Sequence, residues 1–281
     1  MDVLRSVDEI RKKVQQWKKD GCSVGFVPTM GYLHDGHKSL IEKAASENDK
    51  VVVSVFVNPK QFDNASDLET YPSNIQGDKD LVTVAGGDII FAPTAAEMYP
   101  DGFATMVDIE GLDKELCGAT RPGHFRGVCT VVTKLFMIVA PDRAYFGEKD
   151  FQQLAIIKRF TKDMNIPVEV IGCPIVREED GLAMSSRNSK LSPEERRKAL
   201  IIIEALNVIK EMVYQGTTDV EELKKEAFRK ISTMDIAKID YFEIVDPDTL
   251  EKIDVVKEKA LAATAVFIGK TRLIDNMIIG E

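Results

Sequence analysis

Histidine is scarce in this chain, three in 281 residues, and tryptophan occurs once. No apolar run approaches the ~20 residues that cross a bilayer. The amino terminus shows no leader pattern, because Arg11 to Lys13 and Lys18 to Asp20 interrupt any apolar stretch, and no membrane partner is expected. The four cysteines (Cys22, Cys117, Cys129 and Cys173) form no C-x-x-C pair. That spacing argues against a zinc site and for reduced thiols in a cytoplasmic protein. Positive charge is in deficit, with 37 Lys and Arg against 46 Asp and Glu and a net charge of −9. A nucleic-acid surface needs a basic patch, so the balance argues against that partner too. The G-x-x-x-x-G-K-[ST] and G-x-G-x-x-G phosphate fingerprints are both missing, as are Cys-His and G-x-S-x-G nucleophile patterns. Nothing suggests covalent enzyme chemistry.

What is present is an ordinary globular composition, 44% hydrophobic and 30% charged. Ser6 and Glu9 have capping-box spacing ahead of a helix whose face carries Val7, Ile10, Val14 and Trp17. Strand-like and helix-like stretches then alternate. Strands are expected at Ser23 to Val27, Lys50 to Val57, Asp88 to Ala92, Arg143 to Phe146 and Val168 to Ile171. Helices are expected after His37, from Ser73 to about Gly86, from Val128 to Val139 and from Phe151 to Met164. Such alternation implies right-handed crossovers and a doubly wound, Rossmann-like parallel sheet, an α/β fold. After about Val176 the pattern changes. Ser192-Pro193-x-Glu195 starts a helix running to Tyr214, another spans Asp219 to Ser232, and strands follow near Ile239 to Val245 and Ala263 to Ile268, with a further apolar run at Met277 to Ile279. The pattern reads as two domains, residues 1–176 and a smaller α+β domain over 177–281.

Two of the three histidines lie in one segment, Pro28-Thr29-Met30-Gly31-Tyr32-Leu33-His34-Asp35-Gly36-His37, between an expected strand and an expected helix. Turns of that kind bind phosphates, because free N–H groups and the positive end of the helix dipole meet there. Imidazoles at that position can donate to phosphate oxygens as charge builds up. Gly147-Glu148-Lys149-Asp150 follows another strand, where Lys149 offers a compact cation and Asp150 an acceptor. In Met184-Ser185-Ser186-Arg187 two hydroxyls and a guanidinium share a loop, a donor set suited to phosphate oxygens. Asn58 and Gln61, after the second strand, can orient a small polar substrate without adding charge. Arg121 can reach an anion, whereas His124 reads as structural.

Together these segments resemble the pantothenate synthetase family over most of the chain. The likeness rests on Pro28 to His37, on Phe56-Val57-Asn58-Pro59-x-Gln61-Phe62, on Gly147-Glu148-Lys149-Asp150-x-Gln152-Gln153, and on Arg177-Glu178-x-Asp180 through Asn188. The first and last segments mark only the wider nucleotidyltransferase superfamily, as its HIGH-like and KMSKS-like ATP segments. The two middle ones are specific to the family. The resemblance implies ATP-dependent joining of pantoate to β-alanine through a pantoyl adenylate, giving AMP and pyrophosphate. It places Met30 to His37, Gly147 to Asp150, Val176 and Met184 to Arg187 against ATP, with His34, His37 and Lys149 catalytic and His37 the proton donor. It places Pro28, Met30, Asn58, Gln61, Arg121 and Gln153 against pantoate or β-alanine. It also implies Mg2+ with ATP, near Asp78, and a homodimer formed through the amino-terminal domain. Ser73 stands where family members commonly carry Arg after Tyr-Pro, a departure that touches local packing or a subunit contact rather than chemistry.

Two rivals compete. An adenylyltransferase acting on a phosphate ester would need a basic acceptor pocket, and Asn58 and Gln61 are neutral. A non-catalytic nucleotide- or tRNA-binding module leaves the paired imidazoles, Lys149 and Arg187 without a task.

Overall fold

Continuous β-branched and aromatic runs make the strands of one parallel sheet, as expected for strands covered on both faces. In a computed structural model of the chain, residues 1–62 and 68–280 are described. Six strands, β1 (Asp2–Leu4), β2 (Val24–Thr29), β3 (Lys50–Val55), β4 (Ile89–Phe91), β5 (Arg143–Gly147) and β6 (Glu169–Cys173), pair in the order β1-β4-β3-β2-β5-β6. The sequence pattern predicts five of them. The sixth, β1, is three residues long, too short for any periodicity, and pairs Val3 with Ile90 at the sheet edge. Neighbours of β2 are β3 on one side and β5 on the other, in register from Gly25 opposite both Val51 and Arg143. The chain therefore reverses its direction of winding at β2, and ligands of such sheets bind outside the carboxyl ends of the strands at that point.

The helices follow their caps. Helix α1 (Val7–Lys19) has the Ser6–Glu9 capping box and buries Ile10, Val14 and Trp17. Helix α2 (Asp35–Glu47) follows β2, and α3 (Ile75–Val84) starts later than expected because Asn74, not Ser73, accepts the Gly77 N–H. After the short helices α4 (Ala95–Met98) and α5 (Leu116–Thr120), α6 (His124–Val139) begins four residues ahead of Val128, at a left-handed Gly123 (φ 79°). Helix α7 (Phe151–Asp163) leads to β6. The helix expected over Pro193 to Tyr214 is two, α8 (Pro193–Lys198) and α9 (Ile201–Tyr214). Leu200 and Ile202 donate three residues back, to Arg197 and Ala199, which tightens the chain locally. Helix α10 (Val220–Ile231) precedes the antiparallel strands β7 (Ala237–Val245), β8 (Lys259–Ile268) and β9 (Thr271–Gly280).

Two compact units result. Unit 1 comprises Met1–Glu110, Arg121–Glu148 and Gln153–Pro174, and its core packs Val27, Ile41, Ala44, Val53, Ile90 and Tyr145. Unit 2 comprises Gly111–Thr120, Lys149–Gln152 and Ile175–Glu281, with Ile202, Leu206 and Ile209 of α9 and Leu223 of α10 against Phe242 and Val266 of its sheet. Two internal segments that the sequence pattern places in the first domain, Gly111–Thr120 and Lys149–Gln152, thus fall in unit 2, as do Ile175 and Val176 at the boundary. Hydrogen bonds explain it. Gln152 Nε2 donates to the carbonyls of Leu112 (2.8 Å) and Glu115 (2.7 Å), and Arg272 on β9 reaches Thr120 Oγ1 at 3.4 Å.

Candidate active site

The segment between β2 and α2 is held from below. Thr29 Oγ1 donates to Ser54 O at 2.6 Å and accepts the Gly31 N–H at 3.1 Å. Gly31 (φ 84°) and Tyr32 (φ 53°) are left-handed, and a Cβ on Gly31 would lie 2.8 Å from Val55 Cγ1 and 3.0 Å from Asp78 Oδ2. Asp78, buried on α3, accepts the N–H groups of Tyr32 (3.1 Å) and Leu33 (2.7 Å), one on each oxygen. Burial pushes its carboxyl above the ordinary aspartate range, and those two N–H groups act against the rise. Both oxygens of the residue expected near magnesium are engaged with the loop backbone.

The two histidines cap α2. His34 is the N-cap, and its Nδ1 accepts the Gly36 N–H at 3.1 Å. His37 Nδ1 accepts the His34 N–H at 3.3 Å, which completes a capping box built from imidazoles. Capping boxes ordinarily use Ser or Thr with Glu or Gln. With both Nδ1 atoms acting as acceptors, a neutral ring carries its proton on Nε2 in each case. The rings lie 4.1 Å apart between centroids, tilted by 49°. A pair of imidazoles is thus set at the amino end of a helix, the end that favours anions.

After β3, the turn Pro59–Gln61 carries the second cluster. Asn58 is 1% exposed. Its Nδ2 donates to Gln61 Oε1 (2.8 Å) and Gly127 O (3.2 Å), while its Oδ1 accepts from the Tyr99 hydroxyl (2.7 Å) and the Lys60 N–H (3.3 Å). The amide is saturated within unit 1, so it orients Gln61. Burial raises the Tyr99 hydroxyl well above the usual phenol range, which keeps it a donor. Gln61 Nε2 donates to Met30 Sδ at 3.4 Å, so Met30 and Gln61 lie side by side. His124 Nδ1 sits 2.8 Å from Gln61 O, which can only accept. The proton is therefore on Nδ1, leaving Nε2 to accept from Arg121, 3.1 Å away. Arg121 also reaches Gln61 O at 3.4 Å. His124 is thus hydrogen-bonded through both ring nitrogens. Tyr99 and Gly127 join this cluster without any local signal in the sequence that would single them out.

Gly147 ends β5, Glu148–Asp150 form a 3-10 turn, and Gln153 lies in the first turn of α7. In unit 2, Val176 O accepts the Met184 N–H at 3.0 Å, and Arg177 pairs with Ala183 across an antiparallel bridge. Ser185 caps the 3-10 turn Ser186–Lys190 by accepting the Arg187 N–H at 3.2 Å. Asn188 Nδ2 donates to Glu178 (2.8 Å) and to Ala183 O (3.1 Å), and Arg196 joins Glu178 and Asp180. Val176 and Met184 to Arg187 are thereby held in one folded loop.

A family model described as pantoate-beta-alanine ligase matches residues 2–278. The chain belongs to the pantoate–β-alanine ligase family. Members that it resembles include the pantothenate synthetases of Clostridium acetobutylicum and Enterococcus faecalis, each 54% identical with 98% of both chains covered. The crystal structure of pantothenate synthetase from Thermus thermophilus superposes with a TM-score of 0.95 at 46% identity, covering both chains fully. The Francisella tularensis pantoate–β-alanine ligase, solved with βγ-ATP and β-alanine, has a TM-score of 0.78 at 38% identity, covering 99% of this chain and 97% of its own. As a member of the family the chain is an enzyme that forms a carbon–nitrogen bond.

Proposed function

We propose that this enzyme joins pantoate to β-alanine, cleaving ATP to AMP and pyrophosphate, through an enzyme-bound pantoyl adenylate. The capping box of His34 and His37 is the observation that supports this most directly. In the first step a pantoate carboxylate oxygen bonds to the α-phosphorus, and the α–β bridging bond breaks with its electron pair going to pyrophosphate. Two Nε2–H donors at a helix amino terminus suit that departing charge, with His37 as proton donor and Lys149 as a further cation. In the second step the neutral β-alanine amine attacks the acyl carbon, the C–N bond forms, the acyl C–O bond breaks with its electron pair going to AMP, and the nitrogen releases one proton to solvent. Neither step calls for a protein nucleophile. Positioning and electrostatics supply the catalysis.

Pro28, Met30, Gln61 and Gln153 are assigned to pantoate, with Gln61 also toward β-alanine and Arg121 toward an anionic group. Met30 to His37, Gly147 to Asp150, Val176 and Met184 to Arg187 are assigned to ATP. Asn58 is assigned to orienting Gln61. Among the described residues no three His, Cys, Asp or Glu side chains converge to hold a metal, and the Asp78 oxygens are already engaged. Magnesium is thus expected to enter on the triphosphate rather than in a preformed protein cage, as its preference for phosphate and water oxygens allows. Among the described residues no helix is long and apolar enough to cross a membrane. A cytoplasmic homodimer formed through unit 1 completes the proposal, and sedimentation equilibrium tests the dimer.

Pyrophosphate release tests the chemistry. Pantoate and ATP with magnesium should give one turnover, and β-alanine should convert it to steady release. Absence of release in both conditions would favour an adenylyltransferase with another acceptor.

A further inference from the structure

Two consecutive polar residues of β9 are both buried, Asp275 (4% exposed) and Asn276 (5% exposed). Buried polar groups in a strand cost stability unless their hydrogen bonds are met. Here they are met by two segments of unit 2. Asn276 Nδ2 donates to the carbonyl of Lys149 at 2.9 Å. Asp275 takes Arg177 in a two-pronged pair, at 2.7 and 3.0 Å, and accepts the Asn276 N–H at 2.8 Å. The same guanidinium donates to Gly181 O at 3.1 Å and to Asn276 O at 3.4 Å. Arg177 in turn is bridged to Ala183, just before Met184. One point on β9 therefore fastens both the Lys149 turn and the base of the 176–184 loop.

The Lys149 turn needs such an anchor. Glu148–Asp150 is a three-residue 3-10 turn, a geometry with poor internal hydrogen bonding. A lysine ammonium rides on a flexible four-carbon stem, so its placement is set largely by its backbone. We infer that Asn276, backed by Asp275, is a positioning residue for Lys149: it fixes the Lys149 carbonyl, and adenylate formation depends on it through Lys149. The inference rests on the assignment of Lys149 to the ATP phosphates.

Single-turnover pyrophosphate release with ATP, magnesium and pantoate is the test, on wild type, Asn276→Ala, Lys149→Ala and the double variant. Lys149→Ala should slow release by about 10²–10³-fold. Asn276→Ala should slow it by about 10–100-fold, the scale of a small misplacement. The double variant should be no slower than Lys149→Ala, because the two residues act as one unit. Asn276→Leu keeps the volume without the donor, and should repeat the loss if the alanine variant does not fold. Full multiplication of the two losses, or wild-type rates in folded Asn276→Leu, would overturn the proposal while leaving Lys149 in place. A wild-type rate in Lys149→Ala would instead remove Lys149 from the phosphates, and the proposal with it.

Discussion

At the scale of single residues, Asp78 shows how a buried carboxylate can shape a loop through its backbone. Each oxygen takes one backbone N–H of the Tyr32–Leu33 loop. Asp78→Asn turns one acceptor into a donor facing an N–H, and should cost about 1–3 kcal/mol in urea unfolding. The pH dependence has a definite sign. Burial raises the folded pKa, so native Asp78 takes up a proton before the unfolded chain does as pH falls. Its contribution to stability is fully present below the ordinary aspartate range and is lost as pH rises through the raised folded value. The stability difference between wild type and Asp78→Asn should therefore widen toward acid pH, and a gap that narrows on acidification would contradict this account. The same scale shows where the sequence is mute. The pattern Asn58-x-x-Gln61 advertises two substrate amides, yet Asn58 spends every donor and acceptor on Gln61, Gly127, Tyr99 and Lys60. Its partners at positions 99 and 127 are too distant in sequence for any local pattern to reveal.

At the scale of elements, His34 caps α2 through Nδ1, and in the proposed mechanism it also donates from Nε2. His34→Ser keeps an acceptor at the N-cap, and should retain stability while slowing adenylate formation. His34→Ala should slow the reaction and also lower stability by about 1 kcal/mol. Equal melting of the two variants would mean that the cap contributes nothing. Helix α6 and the Pro59–Gln61 turn touch at Gly127, where a Cβ would lie 2.2 Å from Lys60 O and 2.7 Å from Gln61 Cα. The obstacle is backbone and cannot rotate away. Gly127→Ala should destabilise by about 1–3 kcal/mol and raise KM for pantoate or β-alanine by displacing Gln61. Steady-state kinetics beside a urea titration will show both effects or neither. Capping is legible in the sequence for α1 and α8, since Ser6–Glu9 and Ser192–Glu195 are local patterns. The break between α8 and α9 is not, because so short a 3-10 tightening leaves the apolar period nearly unchanged.

At the scale of the whole molecule, net charge bears on polyanion binding. With a net charge of −9, the chain should pass through a heparin column at about 0.1 M salt, since polyanion binding requires several cations on one face. Retention would reveal a basic patch that the composition conceals. The sequence by itself determined the α/β alternation, the smaller second domain, the paired histidines at a strand–helix turn and the loop residues suited to ATP. Each is written in local spacing, apolar runs or short motifs, and each survives any packing that keeps the chain in order. Tertiary structure alone decided the strand order with β1 at the edge, the transfer of Gly111–Thr120 and Lys149–Gln152 to unit 2, and the commitments of Asp78, Asn58, His124 and Asn276. Those outcomes rest on hydrogen bonds between residues far apart along the chain, such as Asn276 to Lys149. Such a bond leaves no periodic trace in the sequence; folding alone brings its donor and acceptor together.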